Sequence, residues 1–262
     1  MSLLCIDVGN THTHFGVVGP AGAAALAEVP TASLDHPTTG LAPRLARLHA
    51  EQPGLAGAAF CTVVPATTAR LRRLLAEALP TLAVFQLTPQ CALGVPVTYP
   101  HPTEIGQDRL ANAAGARTLA AGAAVVIDLG TAVTFDIITA EGGYEGGIIA
   151  PGLAVMRAYL HERTAQLPRL DDSLAVDGAI GRSTVEAMRI GTVVGFQGMI
   201  QALLDAVLAE LAGRGGPPPM VLATGGDATR LLGRMRPPPR VVPDLTLRGL
   251  AAAWRLQFPG RK

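Results

Sequence analysis

Leu3-Leu4-Cys5-Ile6-Asp7-Val8-Gly9-Asn10-Thr11-His12-Thr13 opens the chain, and its pattern returns at Val125-Val126-Ile127-Asp128-Leu129-Gly130-Thr131-Ala132-Val133-Thr134. At one constant offset, that from Asp7 to Asp128, Ile6, Gly9 and Thr13 match Ile127, Gly130 and Thr134, while Val8 faces Leu129 and Asn10 faces Thr131. Each copy is an apolar run ending in a carboxylate, then glycine, then short hydroxyl or amide side chains, then a second β-prone run. That pattern predicts two strands joined by a tight turn. Such a turn suits phosphate: glycine lets backbone approach a ligand, free N–H groups face an anion, and Thr11, Thr13, Thr131 and Thr134 add donors. The carboxylate would repel phosphate, so it implies an intervening cation or ordered water. A single copy could be an ordinary glycine turn; two copies at domain-sized spacing favour function.

Length and composition bound what the turns can serve. At 262 residues, 49% hydrophobic and 16% charged, the chain is long enough for a sizeable core, and the repeat favours two domains, 1–118 and 119–262. A formal net charge of +1, with no basic run beyond Arg72-Arg73, leaves no electrostatic footprint for nucleic acid or an anionic membrane. There is one lysine, Lys262, against twenty arginines. A lysine-bearing phosphate loop and Schiff-base chemistry are therefore excluded, and a bound triphosphate must be neutralised by metal ions, arginine and backbone donors. Cys5, Cys61 and Cys91 are odd in number and widely spaced, which suits reduced thiols in the cytoplasm. No basic, apolar leader precedes the first strand, and the apolar stretch 190–209 is interrupted by Gln197, Gln201 and Asp205, so no membrane association is expected.

Along the chain, 15–18 and 23–29 read as strands, 41–50 and 67–79 as helices flanking a buried strand at 58–64. The stretch 88–106 carries Pro89, Pro96, Pro100 and Pro102, a stiff loop suited to binding. It ends at Gly106-Gln107-Asp108-Arg109, where a helix over 107–121 begins, placing Asp108 and Arg109 in a first turn. Asp108 could be no more than a helix-terminal charge and Arg109 a solvated side chain; a carboxylate held against an acceptor hydroxyl is the sharper reading. After the second turn, the glycines of 142–152 suggest backbone packed close to ligand, or a hairpin with a glycine bulge. A helix over 153–163 follows. A long helix opening at Gly181-Arg182-Ser183-Thr184 contains Gly191, Gly195 and Gly198, so something must approach it closely, either the chain's own core or a second copy. Thr224-Gly225-Gly226 ends a buried strand, and a final helix over 245–258 carries Trp254.

The duplicated turn resembles the actin-like ATPase and sugar kinase superfamily, which implies an α/β fold of two related actin-like ATPase (ribonuclease H-like) domains with a nucleotide cleft between them. Taken with 106–109, 146–152, 164–168, 224–226 and 245–250, the order and spacing over the whole chain are similar to type III pantothenate kinases. That resemblance implies ATP-dependent phosphorylation of pantothenate in coenzyme A biosynthesis, with Mg²⁺, a monovalent cation (K⁺ or NH₄⁺), a homodimer and a cytoplasmic setting. It implies ATP phosphates on Asp7, Val8, Gly9, Asn10, Thr11, His12, Thr13 and His14, with Thr131 on the nucleotide, Asp7 organising Mg²⁺ through water and Asp128 on the monovalent cation. It also implies Asp108 as catalytic base, Arg109 gripping substrate, Tyr99, Gly106 and Gln107 in the acceptor pocket, Thr184 contributing from its helix start, and 224–226 bordering adenosine. Gln107 departs from the small alanine common in the family, and His12 and His14 are less usual; a metal pair there is conceivable. The competing class is a nucleotide-binding switch, which would share both Asp turns but need no acceptor pocket.

Overall fold

The computed structural model describes residues 2–52, 54–141 and 143–260. Gly142 of the glycine-rich run and Lys262 lie outside the described residues. The first half of the chain builds β1 (Ser2–Val8), β2 (His12–Gly19), β3 (Gly22–Pro30), α1 (Leu41–Glu51), β4 (Leu55–Thr62), α2 (Thr68–Ala78), β5 (Val84–Gln86) and α3 (Gln107–Arg117). The second builds β6 (Ala124–Leu129), β7 (Ala132–Thr139), β8 (Gly143–Pro151), α4 (Leu153–Glu162), α5 (Thr184–Gly213), β9 (Met220–Thr224), α6 (Ala228–Leu231), β10 (Arg240–Val241) and α7 (Leu245–Gln257). The sheet orders are β3-β2-β1-β4-β5 and β10-β9-β6-β7-β8. Read from β1 and from β6, the two sheets have the same topology, so the repeat seen in two short motifs extends to five strands each.

The chain divides into two compact units, one of Met1–Ala121, Asp136–Gly146 and Asp244–Lys262, the other of Gly122–Phe135 and Gly147–Pro243. This is not the single cut after residue 118 that the repeat suggested. The C-terminal helix returns to the first unit because α7 packs on α3 backbone to backbone: a Cβ on Gly249 would sit 1.7 Å from the Ala111 carbonyl oxygen, and one on Gly115 would sit 2.5 Å from the Leu245 oxygen. Only glycine permits so close an approach at these positions.

In the first unit β1 lies antiparallel to β2 and parallel to β4. Leu4, Ile6, Val8, Phe15, Ala58 and Phe60 form one core face, covered by Leu41, Leu45 and Leu48 of α1 and Leu71, Leu74 and Leu75 of α2. Each fully buried leucine contributes roughly 1.5–3 kcal/mol. The alternate residues of the same strands point to the opposite face. There Gly57 makes room for Trp254 of α7, whose ring atoms would lie 2.3 Å from a Cβ at that position. Asp244, at the start of α7, accepts the Ala23 N–H (3.0 Å) beside the β2–β3 turn.

In the second unit β6 runs parallel to β9, and β9 parallel to β10. Ser183 caps α5, accepting the Glu186 N–H at 3.2 Å. Among the described residues α5 is the one helix long and apolar enough to cross a membrane, with a mean hydropathy of 1.5. Its polar side chains nevertheless have protein partners: Gln197 donates to the Leu231 carbonyl (2.9 Å), and Gln201 both donates to and accepts from the Arg236 backbone. These bonds tie α5 to residues 231 and 236 of the same unit.

Candidate active site

β1 carries Asp7 to the end of the sheet and hands over to the turn 9–11, which closes through the Gly9 N–H on the His12 carbonyl (3.0 Å). Thr31 pins the turn from β3's end, donating its hydroxyl to the Gly9 carbonyl (2.7 Å) and sharing a 3.0 Å hydrogen bond with the Thr13 hydroxyl. Asn10, Thr11 and His12 are exposed at the tip, whereas Val8 and Thr13 are buried. The structure therefore divides the expected phosphate residues. Thr13's hydroxyl faces inward and shapes the turn, Val8 has only backbone to offer, and 10–12 present their side chains outward.

The second turn is tighter by one residue: the Gly130 N–H bonds the Ala132 carbonyl at 3.0 Å. His12 is thus matched by Ala132, and buried Thr13 by buried Val133. The Thr13–Thr134 match at constant offset is a correction to the sequence reading, since a one-residue change in the loop moves every following side chain to the other face. Glycines back this turn with protein rather than leaving open space. Gly152 donates to the Thr131 carbonyl (3.0 Å), and Gly225, at φ +91°, lies against the Leu129 backbone. Asp128 pairs in register with Thr224, Thr131 is exposed, and Thr184 is exposed at the start of α5 in the same unit.

Of the residues expected to hold the acceptor, Tyr99, Gly106, Gln107, Asp108 and Arg109 lie within the first unit and Thr184 in the second. α3 begins at Gln107, as its sequence implied, and the Gln107 side-chain Oε1 accepts the Thr62 N–H (3.0 Å), tying the helix start to the end of β4. The residue that departs from the family's common alanine thus fixes the approach of α3. Asp108 folds back so that Oδ1 accepts the Arg109 N–H (2.8 Å) and lies where a Cβ on Gly106 would be, 2.5 Å away. Any larger residue at 106 would displace the carboxylate.

Asp7 is not alone at the sheet end: the buried Cys61 thiol donates to its Oδ1 (3.2 Å), and Asp7 pairs in register with both Cys61 and His14. Burial, then the charges of Asp7 and Asp108, push the Cys61 thiol far above its ordinary range, so it remains a donor. His14 contacts Glu28 at 3.3 Å and lies 6.3 Å, ring to ring, from His12. Partial loss of hydration holds His14 below the usual histidine range against the pull of Glu28, although half of the side chain remains exposed. Among the described residues no group of three or more His, Cys, Asp or Glu gathers around a common point.

Sequence reasoning missed the residues that hold Arg109. Its Nε donates to Asp136 Oδ1 at 2.7 Å, and the side chain is 13% exposed, far from a solvated arginine. The Tyr144 hydroxyl reaches the same Oδ1 (3.2 Å), and Asn112 Nδ2 reaches Oδ2 (3.4 Å). Tyr99 meets Tyr144 edge to face at 6.5 Å and covers Gly146. A carboxylate inside the apolar strand Val133-Thr134-Phe135-Asp136-Ile137-Ile138 was the available signal, because such a group needs partners.

Burial raises the Asp108 pKa above its ordinary 3.8, outweighing the Arg109 N–H and the Arg109 charge, both of which lower it. The folded state therefore binds a proton that the unfolded chain has released. Stability contributed by protonated Asp108 is present below the ordinary value and is lost as pH rises through the folded one. Asp108→Asn removes that loss. Its melting temperature should equal or exceed wild type from about pH 7 to about pH 8, and the advantage should shrink toward about pH 3. A variant melting well below wild type at neutral pH would contradict the assignment of burial as the dominant effect.

Comparisons with known proteins identify the family and the fold. The family model for type III pantothenate kinase matches residues 3–206. A type III pantothenate kinase of Akkermansia muciniphila is 40% identical over 97% of this chain and 98% of its own length, and one from Acidothermus cellulolyticus is 34% identical over 98% and 99%. Among solved structures, a Campylobacter jejuni protein described as a Baf family transcriptional activator matches with TM-score 0.61 at 19% identity, covering 98% of each chain. A Sinorhizobium meliloti protein described as a 2-dehydro-3-deoxygalactonokinase matches with TM-score 0.53 at 18% identity, covering 98% of this chain and 99% of its own. At those identities the structural matches speak for the fold, which is the two-sheet, actin-like α/β architecture. The chain belongs to the type III pantothenate kinase family.

Proposed function

We infer that Asp108 is the general base, and Arg109 the acceptor clamp, in the family's reaction: transfer of the γ-phosphoryl group of ATP to the primary hydroxyl of pantothenate, the first step of coenzyme A biosynthesis. The observation that carries this is the placement of Asp108, a partly buried carboxylate whose pKa burial raises and whose Oδ1 is held by the Arg109 N–H, beside an arginine fixed by Asp136. A carboxylate made more basic by burial is a better acceptor for the hydroxyl proton. Arg109 would meet the carboxylate end of pantothenate, with Tyr99, Gly106, Gln107 and Thr184 as further contacts. The nucleotide phosphates would lie on the backbone and outward side chains of 9–12, with His14 beside them and Thr131 as a second contact. Thr224-Gly225-Gly226 would border adenosine.

Mg²⁺ would be organised by Asp7 through water, and a monovalent cation by Asp128. These ions supply charge neutralisation that a chain whose one lysine is Lys262 cannot draw from a fixed ammonium group. A nucleotide switch without an acceptor is disfavoured by the sequence block from Tyr99 to Arg109, which such a switch does not need, and nucleic-acid binding by the net charge of +1. Three free cysteines suit a cytoplasmic setting, which cell fractionation checks. In a coupled ADP-release assay, turnover should require pantothenate over a panel of sugars and should rise with K⁺ over Na⁺, and Asp128→Ala should lose the K⁺ response. ATP turnover independent of any added alcohol would revive the switch, and equal rates in the two salts would remove the cation site.

The working form would be a homodimer joined through α5. Inside one chain, Cβ atoms on Gly191, Gly195 and Gly198 would meet nothing within 4 Å, so packing within the chain does not explain these glycines. Val194 is 50% exposed between them, and an apolar groove of about 490 Å³ runs beside Met156, Tyr159, Leu160 and Met188. A second α5 would find the close approach that glycines allow. Sedimentation at micromolar concentration should give a dimer, and Gly195→Leu should give a folded monomer. A wild-type monomer with full activity would overturn the dimer.

A further inference from the structure

Asp136 is fully buried, sits in a strand whose neighbours are apolar, and is reached by three donors from two elements: Arg109 of α3, Tyr144 of β8, and Asn112 one turn further along α3. Asn112 is itself oriented, because its Oδ1 accepts the Thr246 hydroxyl of α7 at 2.8 Å, which leaves Nδ2 to face Asp136. A buried ion pair is seldom more stabilising than an apolar pair of the same volume, so stability alone gives no reason for a carboxylate here. Its partners do. Arg109 and Tyr144 stand in one stack, the guanidinium carbon 5.9 Å from the Tyr144 ring centre, and Tyr144 in turn supports Tyr99. A guanidinium gripped through Nε has its plane fixed before any ligand arrives, which removes the ordering cost of a long, flexible side chain at the moment of binding.

We propose that Asp136 is a positioning residue that presets Arg109 and the Tyr144–Tyr99 wall for the carboxylate end of the acceptor, and so determines the preference for an anionic over a neutral acceptor. This rests on the reading of Arg109 as the acceptor clamp. Asp136 does not touch the reacting atoms; it acts through Arg109. Removing its charge leaves the hydroxyl end and Asp108 in place, so the loss should fall on acceptor binding and not on the chemical step.

The test is steady-state kinetics of full-length Asp136→Asn with pantothenate and with its primary amide, which keeps the reactive hydroxyl but lacks the negative charge. Loss of one partner of a buried charge pair should raise the KM for pantothenate by about tenfold or more, with kcat within a few-fold and the KM for ATP within about twofold. The ratio of kcat/KM for pantothenate over the amide should fall by a similar factor. A merely structural role would lower both acceptors and ATP alike, and that outcome overturns the proposal, as does an unchanged pantothenate KM. Should Asp136→Asn not fold, Tyr144→Phe removes one donor from the same carboxylate and should shift the same ratio in the same direction by a few-fold; no shift there also overturns it. Wild-type protein that ignores pantothenate would instead refute the functional reading on which the proposal stands.

Discussion

The backbone contact between α3 and α7 is the constraint on which the acceptor side depends. Gly249 and Gly115 let the two helices meet carbonyl against Cα, a separation that any side chain would widen. That contact sets the height of α3 over the sheet, and with it the place of Asp108 and Arg109 at the helix start. It also brings Thr246 to Asn112 and so completes the shell around Asp136. A helix from the end of the chain thereby orients side chains encoded far from it in sequence. Gln107 adds the second fixed point, through the Thr62 N–H at the end of β4.

At the helix start two electrostatic effects oppose each other, and their balance defines the site. Exposed N–H groups and the adjacent guanidinium favour an ionised Asp108, while burial disfavours it, and burial prevails. Arg109 meanwhile has its charge answered by Asp136 rather than by Asp108 alone. The division leaves Asp136 to balance the arginine and leaves Asp108, in the proposed reaction, to accept a proton. Cys61, kept a thiol by burial first and then by the charges of Asp7 and Asp108, donates to Asp7 without adding charge where phosphate is expected.

Local chemistry was legible in the sequence and long-range chemistry was not. The duplicated Asp-x-Gly turns, the helix start at Gln107 and the leucine faces of α1 and α2 follow from patterns a few residues long, and the structure places them as read. The buried hydroxyl of Thr13 depends on Thr31, on a different strand, and the shortened second turn changes a match that appears equal in one dimension. Asp136, Tyr144 and Asn112 come together only when β7, β8 and α3 are packed. The return of α7 to the first unit has a sequence trace in Gly249, but its reason, the carbonyl of Ala111, is visible only in three dimensions. The glycines of α5 pose the converse case: their openness within the chain is what gives them meaning.

The decisive measurement is the turnover of Asp108→Asn with pantothenate at saturating ATP, together with nucleotide affinity by direct titration. The substitution keeps shape and helix start while removing the proton acceptor, so kcat should fall by about 10²- to 10⁴-fold with nucleotide affinity within a few-fold of wild type. A variant that turns over near the wild-type rate would show that Asp108 is only a helix-terminal charge and that the proton leaves by another route.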